Sequence, residues 1–390
     1  MGGGEGGCLP PAPGGAPPRV FGNGKAGGRG MSARAYLDWN ATAPMRAEAR
    51  AAMIAAMDLT GNPSSVHAEG RAAKALVERA REQVAAAVGC KPAEVVFTSG
   101  ATEAARVLAA RGAGQCVLVQ DTAHDALSSH RDVVGLDARP FGPGHVLAMG
   151  LANGETGVVT EPPEKLEGQW PHGAARADRL LLDITQAVGR LPFSFAWSGA
   201  DFAILSAHKL GGPKGVGALI LREGLDIAPL AIGGGQERGR RSGTENLAGI
   251  AGFGAAIAAA MGDLDAGIWE GVAALRNSLE KALATESNST IFVGKDALRL
   301  PNTSCFATPG WKGETQVMQM DLAGFAISAG SACSSGKVRE SRVLRAMGYP
   351  PEVAGSAVRV SLGIGTSAEE VERFAEAWVA ASRKRGTRAA

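Results

Sequence analysis

The chain has 390 residues, and its 40 basic side chains against 38 acidic ones leave a formal net charge of +2. That near-balance argues against a chain built mainly to grip nucleic acid or an anionic membrane, and 5% aromatic residues leave few platforms for stacking bases. With 45% hydrophobic and 20% charged residues, the composition is that of a folded protein with enough material for two domains and a buried core.

The first 30 residues hold 12 Gly and 5 Pro and no apolar run that could serve as a secretory signal. Such a segment cannot bury enough surface to offset its ordering entropy. Residues 1–30 are therefore expected to be a disordered tail, or to precede a true start at Met31. Glu48 to Met57 and Gly70 to Val88 carry Ala, Leu and Val at helical spacing. Glu94 to Phe97 reads as a short strand that runs into Thr98-Ser99-Gly100-Ala101-Thr102-Glu103 and then a helix. Further apolar strands are expected at Cys116 to Gln120, Val146 to Leu151, Leu180 to Asp183, Phe202 to Leu205 and Gly217 to Leu221. Alternating strands and helices imply a mainly parallel sheet covered on both faces. Ala248 to Met261 and Ile268 to Ala284 read as helices, the first too short to span a bilayer. A smaller domain is expected to run from there to the C-terminus.

Three stretches carry chemistry. In Ser206-Ala207-His208-Lys209-Leu210-Gly211-Gly212, a lysine follows an apolar strand and precedes close-approach glycines. A lone lysine in that place is ordinarily a solvated charge. Beside Ser and His it also fits an amine desolvated for use as a Schiff base. Upstream, Asp183 ends a buried strand and needs a partner. A pyridinium nitrogen is one such partner, with Gln186 close by. The stretch Thr98 to Glu103 offers backbone N–H groups at a helix start to a phosphate, although Ser and Thr there commonly serve only as caps. Cys333, in Ser328-Ala329-Gly330-Ser331-Ala332-Cys333-Ser334-Ser335-Gly336, is either a small loop residue or an exposed reactive thiol. Cys90, Cys116 and Cys305 sit among apolar neighbours and read as core. The five cysteines, Cys8 included, show no C-x-x-C spacing, so reduced thiols in a cytoplasmic protein are expected.

Together, Lys209 with its flanks, Asp183 with Gln186 and the loop around Cys333 resemble the cysteine desulfurases, the NifS/IscS-like branch of the class V aminotransferase family. The same family is matched by Tyr36-Leu37-Asp38 with Asn40-Ala41-Thr42-Ala43-Pro44, by Gly61 to His67, by Gly233 to Arg238 with Arg241-Ser242-Gly243-Thr244, and by Arg359-Val360-Ser361-Leu362-Gly363. The resemblance implies the pyridoxal-phosphate fold type I: a large domain with a mainly parallel seven-stranded sheet over residues 46–280, and a smaller α+β domain from residues 31–45 and 281–390 that carries the Cys333 loop. It implies pyridoxal 5'-phosphate as cofactor, bound by Lys209 until the substrate amine displaces the lysine, which then takes the substrate's Cα proton. Asp183 would pair with the ring nitrogen, Gln186 with the ring oxygen, and His124 would stack on the ring and act in acid–base steps. Ala101, Thr102, Ser206 and His208 would hold the phosphate, joined by Thr244 from the second subunit of a homodimer. Arg359 and Asn153 would meet the substrate L-cysteine, and Cys333 would take its sulfur as a persulfide for an iron–sulfur scaffold or another thiol acceptor. No metal, nucleic acid or membrane is implied.

Two departures from the family stand out. Gly154 occupies the place of a second asparagine in Ala152-Asn153-Gly154-Glu155-Thr156-Gly157, and the stretch from His124 to Asn153 is short, as if a strand–helix piece were trimmed. Alternatives are a selenocysteine lyase or aminotransferase on the same fold, and a non-catalytic assembly partner.

Overall fold

The computed structural model describes residues 34–109, 115–132, 144–287, 289–330 and 340–389. The expected N-terminal tail, Cys8 and the catalytic candidate Cys333 lie outside the described residues.

Six strands form the larger sheet: β1 (Val95–Thr98), β2 (Val117–Val119), β3 (Val146–Gly150), β4 (Arg179–Asp183), β5 (Phe202–Ser206) and β6 (Gly217–Leu221), in the spatial order β1-β6-β5-β4-β3-β2. The pairs β2–β3, β3–β4 and β4–β5 are parallel, while β6 runs antiparallel to both β5 and β1. Leu180, Leu181, Leu182, Phe202, Ala203, Ile204 and Leu205 are all buried, as strands covered on both faces require. The seven strands expected are thus six among the described residues. Among the described residues β2 stands at one edge of the sheet, and the stretch between β2 and β3 is where the sequence is short. A further parallel strand with its crossover takes about a dozen residues or more.

Helices α1 (Ala47–Met57) and α2 (Ala68–Val88) pack on a long central helix, and α2 starts with His67 accepting a hydrogen bond from the Gly70 N–H and stops at Gly89 with φ +66°. Two short helices, α3 (Ala101–Ala104) and α4 (Asp125–Ser128), follow β1 and β2. The central helix, α5 (Leu247–Asp265), has 19 residues and exceeds the length expected for it. By length and composition it could cross a bilayer, but Ile250, Phe253 and Ile257 are buried in the core, with Phe253 edge-on to Phe97 at 6.3 Å. Truncating such a ring costs about 3–5 kcal/mol.

After α6 (Ile268–Glu286), a second sheet forms from β7 (Ile291–Phe292), β8 (Thr303–Ala307), β9 (Ser328–Ala329) and β10 (Ala357–Ser361), all antiparallel in the order β7-β8-β10-β9. Helices α7 (Gly313–Leu322) and α9 (Ala368–Ala389) belong with it, α8 (Arg342–Ala346) lying between them in sequence. Its own core holds Phe306, Trp311, Phe374 and Trp378, and the Trp378 indole N–H reaches Gln316 Oε1 at 3.0 Å. Ala35–Tyr36 pairs in parallel with Phe325–Ala326, which lays the following residues along β10: Ser361 N–H donates to Leu37 O, and Trp39 N–H to Ser361 O.

Candidate active site

Strands β1, β2, β3, β4 and β5 all run one way, so their C-terminal ends share one edge of the sheet. In open α/β sheets ligands bind at that edge. Thr98 and Ser206 flank Gly217 in register, and Gly150 lies opposite Asp183. The turns that leave these strands carry Ala101 and Thr102, His124, Asn153, Asp183 with Gln186, and Ser206, His208 and Lys209. Residues spread over more than a hundred positions are thus gathered by topology.

The phosphate side is built on close approach. A Cβ at Gly217 would lie 2.5 Å from Leu205 O and 2.7 Å from Gly100 Cα, so glycine alone lets β6 pass beneath the Gly100 turn. Gly100 has φ +154°, and the space where its side chain would stand opens toward Ser206 Oγ at 3.6 Å. The first-turn N–H groups of α3 have no intrahelical acceptors. His208 Nδ1 meets Thr42 Oγ1 at 3.2 Å; burial, then Lys209 and Lys214, push its imidazole down to about 4, so it is neutral at pH 7. Hydroxyl, neutral imidazole and helix-start N–H donors beside an amine and the Asp183 carboxylate fit a phosphorylated pyridine cofactor.

Lys209 Nζ donates to Asn40 O at 2.7 Å and Ala41 O at 2.9 Å. Asn40 is 1% exposed and joins both sheets. Its Nδ2 donates to Thr303 Oγ1 and Gly154 O, and its N–H donates to Ser361 Oγ. Its Oδ1 accepts from Asn302 and Arg190, and its carbonyl also accepts from Gln186 Nε2. Asp183 Oδ1 accepts from the Thr185 N–H at 2.9 Å.

Arg359, on β10, is 8% exposed. Its Nη2 pairs with Asp38 Oδ1 at 2.7 Å and its Nη1 donates to Gly154 O at 2.9 Å, while its buried Nε–H has no partner among the described residues. A guanidinium has five N–H donors, so this one retains capacity for an anion. Asn153 is largely committed: Oδ1 accepts from the Glu155 and Thr156 N–H groups, and Nδ2 donates to Thr122 O on the His124 turn. A Cβ at Gly154 would come 3.0 Å from Gln186 Nε2, so the missing asparagine side chain leaves the Gln186 amide undisturbed. His124 caps α4, its Nδ1 accepting from the Ala126 N–H at 3.1 Å. Thr244 is exposed, and among the described residues it makes no hydrogen bond to the phosphate-side groups.

Three polar residues here stand outside the site expected from the sequence: Arg190, Glu155 and Arg342. Glu155 accepts a hydrogen bond from Ser341 Oγ, and burial pushes its carboxyl up to about 7 against the pull of Ser341, Arg359 and Arg342. Arg342 Nη1 donates to Asp121 O and its Nη2 to Ala123 O, tying α8 to the His124 turn. A basic residue closing the apolar run Gln186-Ala187-Val188-Gly189-Arg190 was the available hint for Arg190. Of the cysteines read as core, Cys305 is buried, but Cys90 and Cys116 are only partly so, because both stand at element ends rather than within a covered strand.

A family model described as aminotransferase class-V matches residues 35–130 and 145–374, and the unmatched stretch between falls where the sequence is short. A cysteine desulfurase of Cereibacter sphaeroides is 38% identical over 373 residues, covering 88% of this chain and 94% of that protein. One from Frankia sp. (strain EuIK1) is 40% identical over 385 residues, covering 87% and 89%. Among solved structures, a NifS-like protein from Rickettsia africae ESF-5 superposes with a TM-score of 0.76 at 28% identity, covering 88% of this chain and 98% of that one.

Proposed function

We propose a residue-by-residue course of reaction for this chain, which belongs to the class-V aminotransferase family and is a cysteine desulfurase. The family depends on pyridoxal phosphate, and in our reading this chain holds it at the shared strand edge. Lys209 carries the cofactor. Ser206, His208 and the Ala101 and Thr102 N–H groups would hold its phosphate, Asp183 would keep a proton on the ring nitrogen, Gln186 would meet the ring oxygen, and His124 would cover the ring. Bound there, pyridoxal phosphate supplies an electron sink for charge developing at the substrate Cα.

Arg359, steadied by Asp38, binds the L-cysteine carboxylate through its free donors. The Lys209 amine removes the Cα proton and returns a proton to carbon. The Cys333 thiolate attacks the substrate sulfur, the C–S bond breaks, and its electron pair stays with the carbon skeleton. In balance, L-cysteine and a thiol give L-alanine and a persulfide, which passes to an iron–sulfur scaffold or another thiol acceptor. The chain works as a homodimer, with Thr244 completing the partner's phosphate site, and in the cytoplasm, where thiols stay reduced. Residues 46–280 form the large domain, and residues 31–45 with 281–390 the small one.

The observation that carries this reading is the convergence of Lys209, Asp183, Ser206 and His208 at strand ends that run the same way. The test is alanine release from L-cysteine by the protein loaded with pyridoxal phosphate. Lys209→Ala should be colourless and inactive. Cys333→Ala should stay yellow, form no persulfide and release alanine about 10²-fold more slowly or worse. Equal alanine release by Cys333→Ala and wild type would withdraw the sulfur-transfer role.

A further inference from the structure

Arg190 is 5% exposed and stands behind the site rather than in it. Its Nη1 donates to Gln186 Oε1 at 2.5 Å and to Asn40 Oδ1 at 3.0 Å, and its Nη2 donates to Lys209 O at 2.9 Å. All these acceptors are neutral. Among the described residues no carboxylate pairs with Arg190, whereas the buried Arg81, Arg299 and Arg359 pair with Glu237, Glu280 and Asp38. The centroid of the Trp269 ring is 5.9 Å from the guanidinium carbon. A buried cation without a counter-charge is costly, and the cost is met where an anion arrives to complete the site.

The hydrogen bonds say where that anion would act. Arginine donates and never accepts, so it can face only the oxygen of the Gln186 amide. That fixes the amide's orientation: Oε1 toward Arg190, and Nε2 toward Asn40 O at 3.0 Å. One Nε2 proton is thereby spent and a second remains for a ligand. The same guanidinium pins the backbone of Lys209. We infer that Arg190 is a positioning residue for the cofactor: it locks the Gln186 amide as a donor and sets a positive charge behind the ring oxygen that Gln186 meets. This rests on the cofactor reading given above. Burial, and Arg359 nearby, push the Arg190 pKa down to about 10, which leaves it charged at neutral pH.

The consequence is spectroscopic. The ring oxygen shares a proton with the adjacent nitrogen of the Lys209 linkage, and a cation behind the oxygen lowers the affinity for that proton. The holoenzyme without substrate is titrated with pH while its near-visible band is followed. Arg190→Met should raise the midpoint by about one pH unit, and Arg190→Lys, which keeps the charge, should titrate close to wild type. A folded, yellow Arg190→Met protein with the wild-type midpoint overturns the inference, as does Arg190→Lys titrating with Arg190→Met. Should Arg190→Met not fold, Arg190→Gln, which keeps an N–H donor but not the charge, makes the same test: its midpoint should again rise, and an unchanged midpoint overturns the inference. A wild-type protein that takes up no pyridoxal phosphate overturns the cofactor reading and this inference together; a yellow wild type with unresponsive variants overturns this inference alone.

Discussion

Glu155→Gln isolates the electrostatics at the foot of the site. The carboxyl of Glu155 rises from 4.5 to about 7 in the folded protein, with burial as the main cause. The folded state therefore holds this proton more tightly than the unfolded state does. Between those two values folding is favoured by acid: the protonated group costs nothing at low pH, and stability is lost as pH rises through 7. At about 1.4 kcal/mol for each tenfold change, the interval amounts to roughly 3 kcal/mol. Glutamine keeps an oxygen for Ser341 Oγ and never ionises. The variant should match wild type near pH 4 and exceed it at pH 8. Thermal unfolding followed by circular dichroism across that range should show a Tm difference growing from near zero to a few degrees. A difference that stays constant with pH, or a variant less stable than wild type at pH 8, would refute the argument.

Gly217→Ala should force β6 away from the Gly100 turn, because the new Cβ would meet backbone at 2.5 and 2.7 Å. The expected cost is about 1–3 kcal/mol in stability together with loss of cofactor on dialysis; undiminished retention counts against the cradle. Burial, then Glu94, push the Cys90 thiol up to about 12, and burial holds Cys305 well above the usual thiol range. At pH 8, Cys90 should alkylate about 10³-fold more slowly than an unperturbed thiol and Cys305 not at all until the protein unfolds, as mass spectrometry would read; rapid labelling of either in the native protein would contradict this. Light scattering should give a dimer, and a stable active monomer would remove Thr244 from the site.

What the sequence made legible was local. The six strands of the larger sheet are short, dense apolar runs, and Lys209, Ser206 and Asp183 stand where those runs end, so reading the strands also located the residues. Asn40, Arg190 and Glu155 take their meaning from partners far along the chain: Asn40 meets Arg190 across 150 residues, and Glu155 meets Ser341 across 186. No window on the sequence contains both halves of such a contact. The hairpin of Trp170–His172 with Ala175–Ala177 leaves no pattern in the sequence, because it has three residues a side and only Trp170 and Ala177 are buried. The β7 and β9 strands, of two residues each, are too short to show a period.

The bond from the Asn40 N–H to Ser361 Oγ, and the ion pair of Asp38 with Arg359, each span 321 residues. On a ribosome that adds about 5–20 residues per second, the first strand of the folded chain waits roughly 15–60 s for the last. For the last 150 of those residues, roughly 8–30 s, the Lys209 amine has been made, while the segment that supplies Arg359 has not. A cell thus carries, on every polysome, nascent chains with a reactive amine and no completed substrate site, and the order of synthesis itself keeps the chemistry silent until release is near.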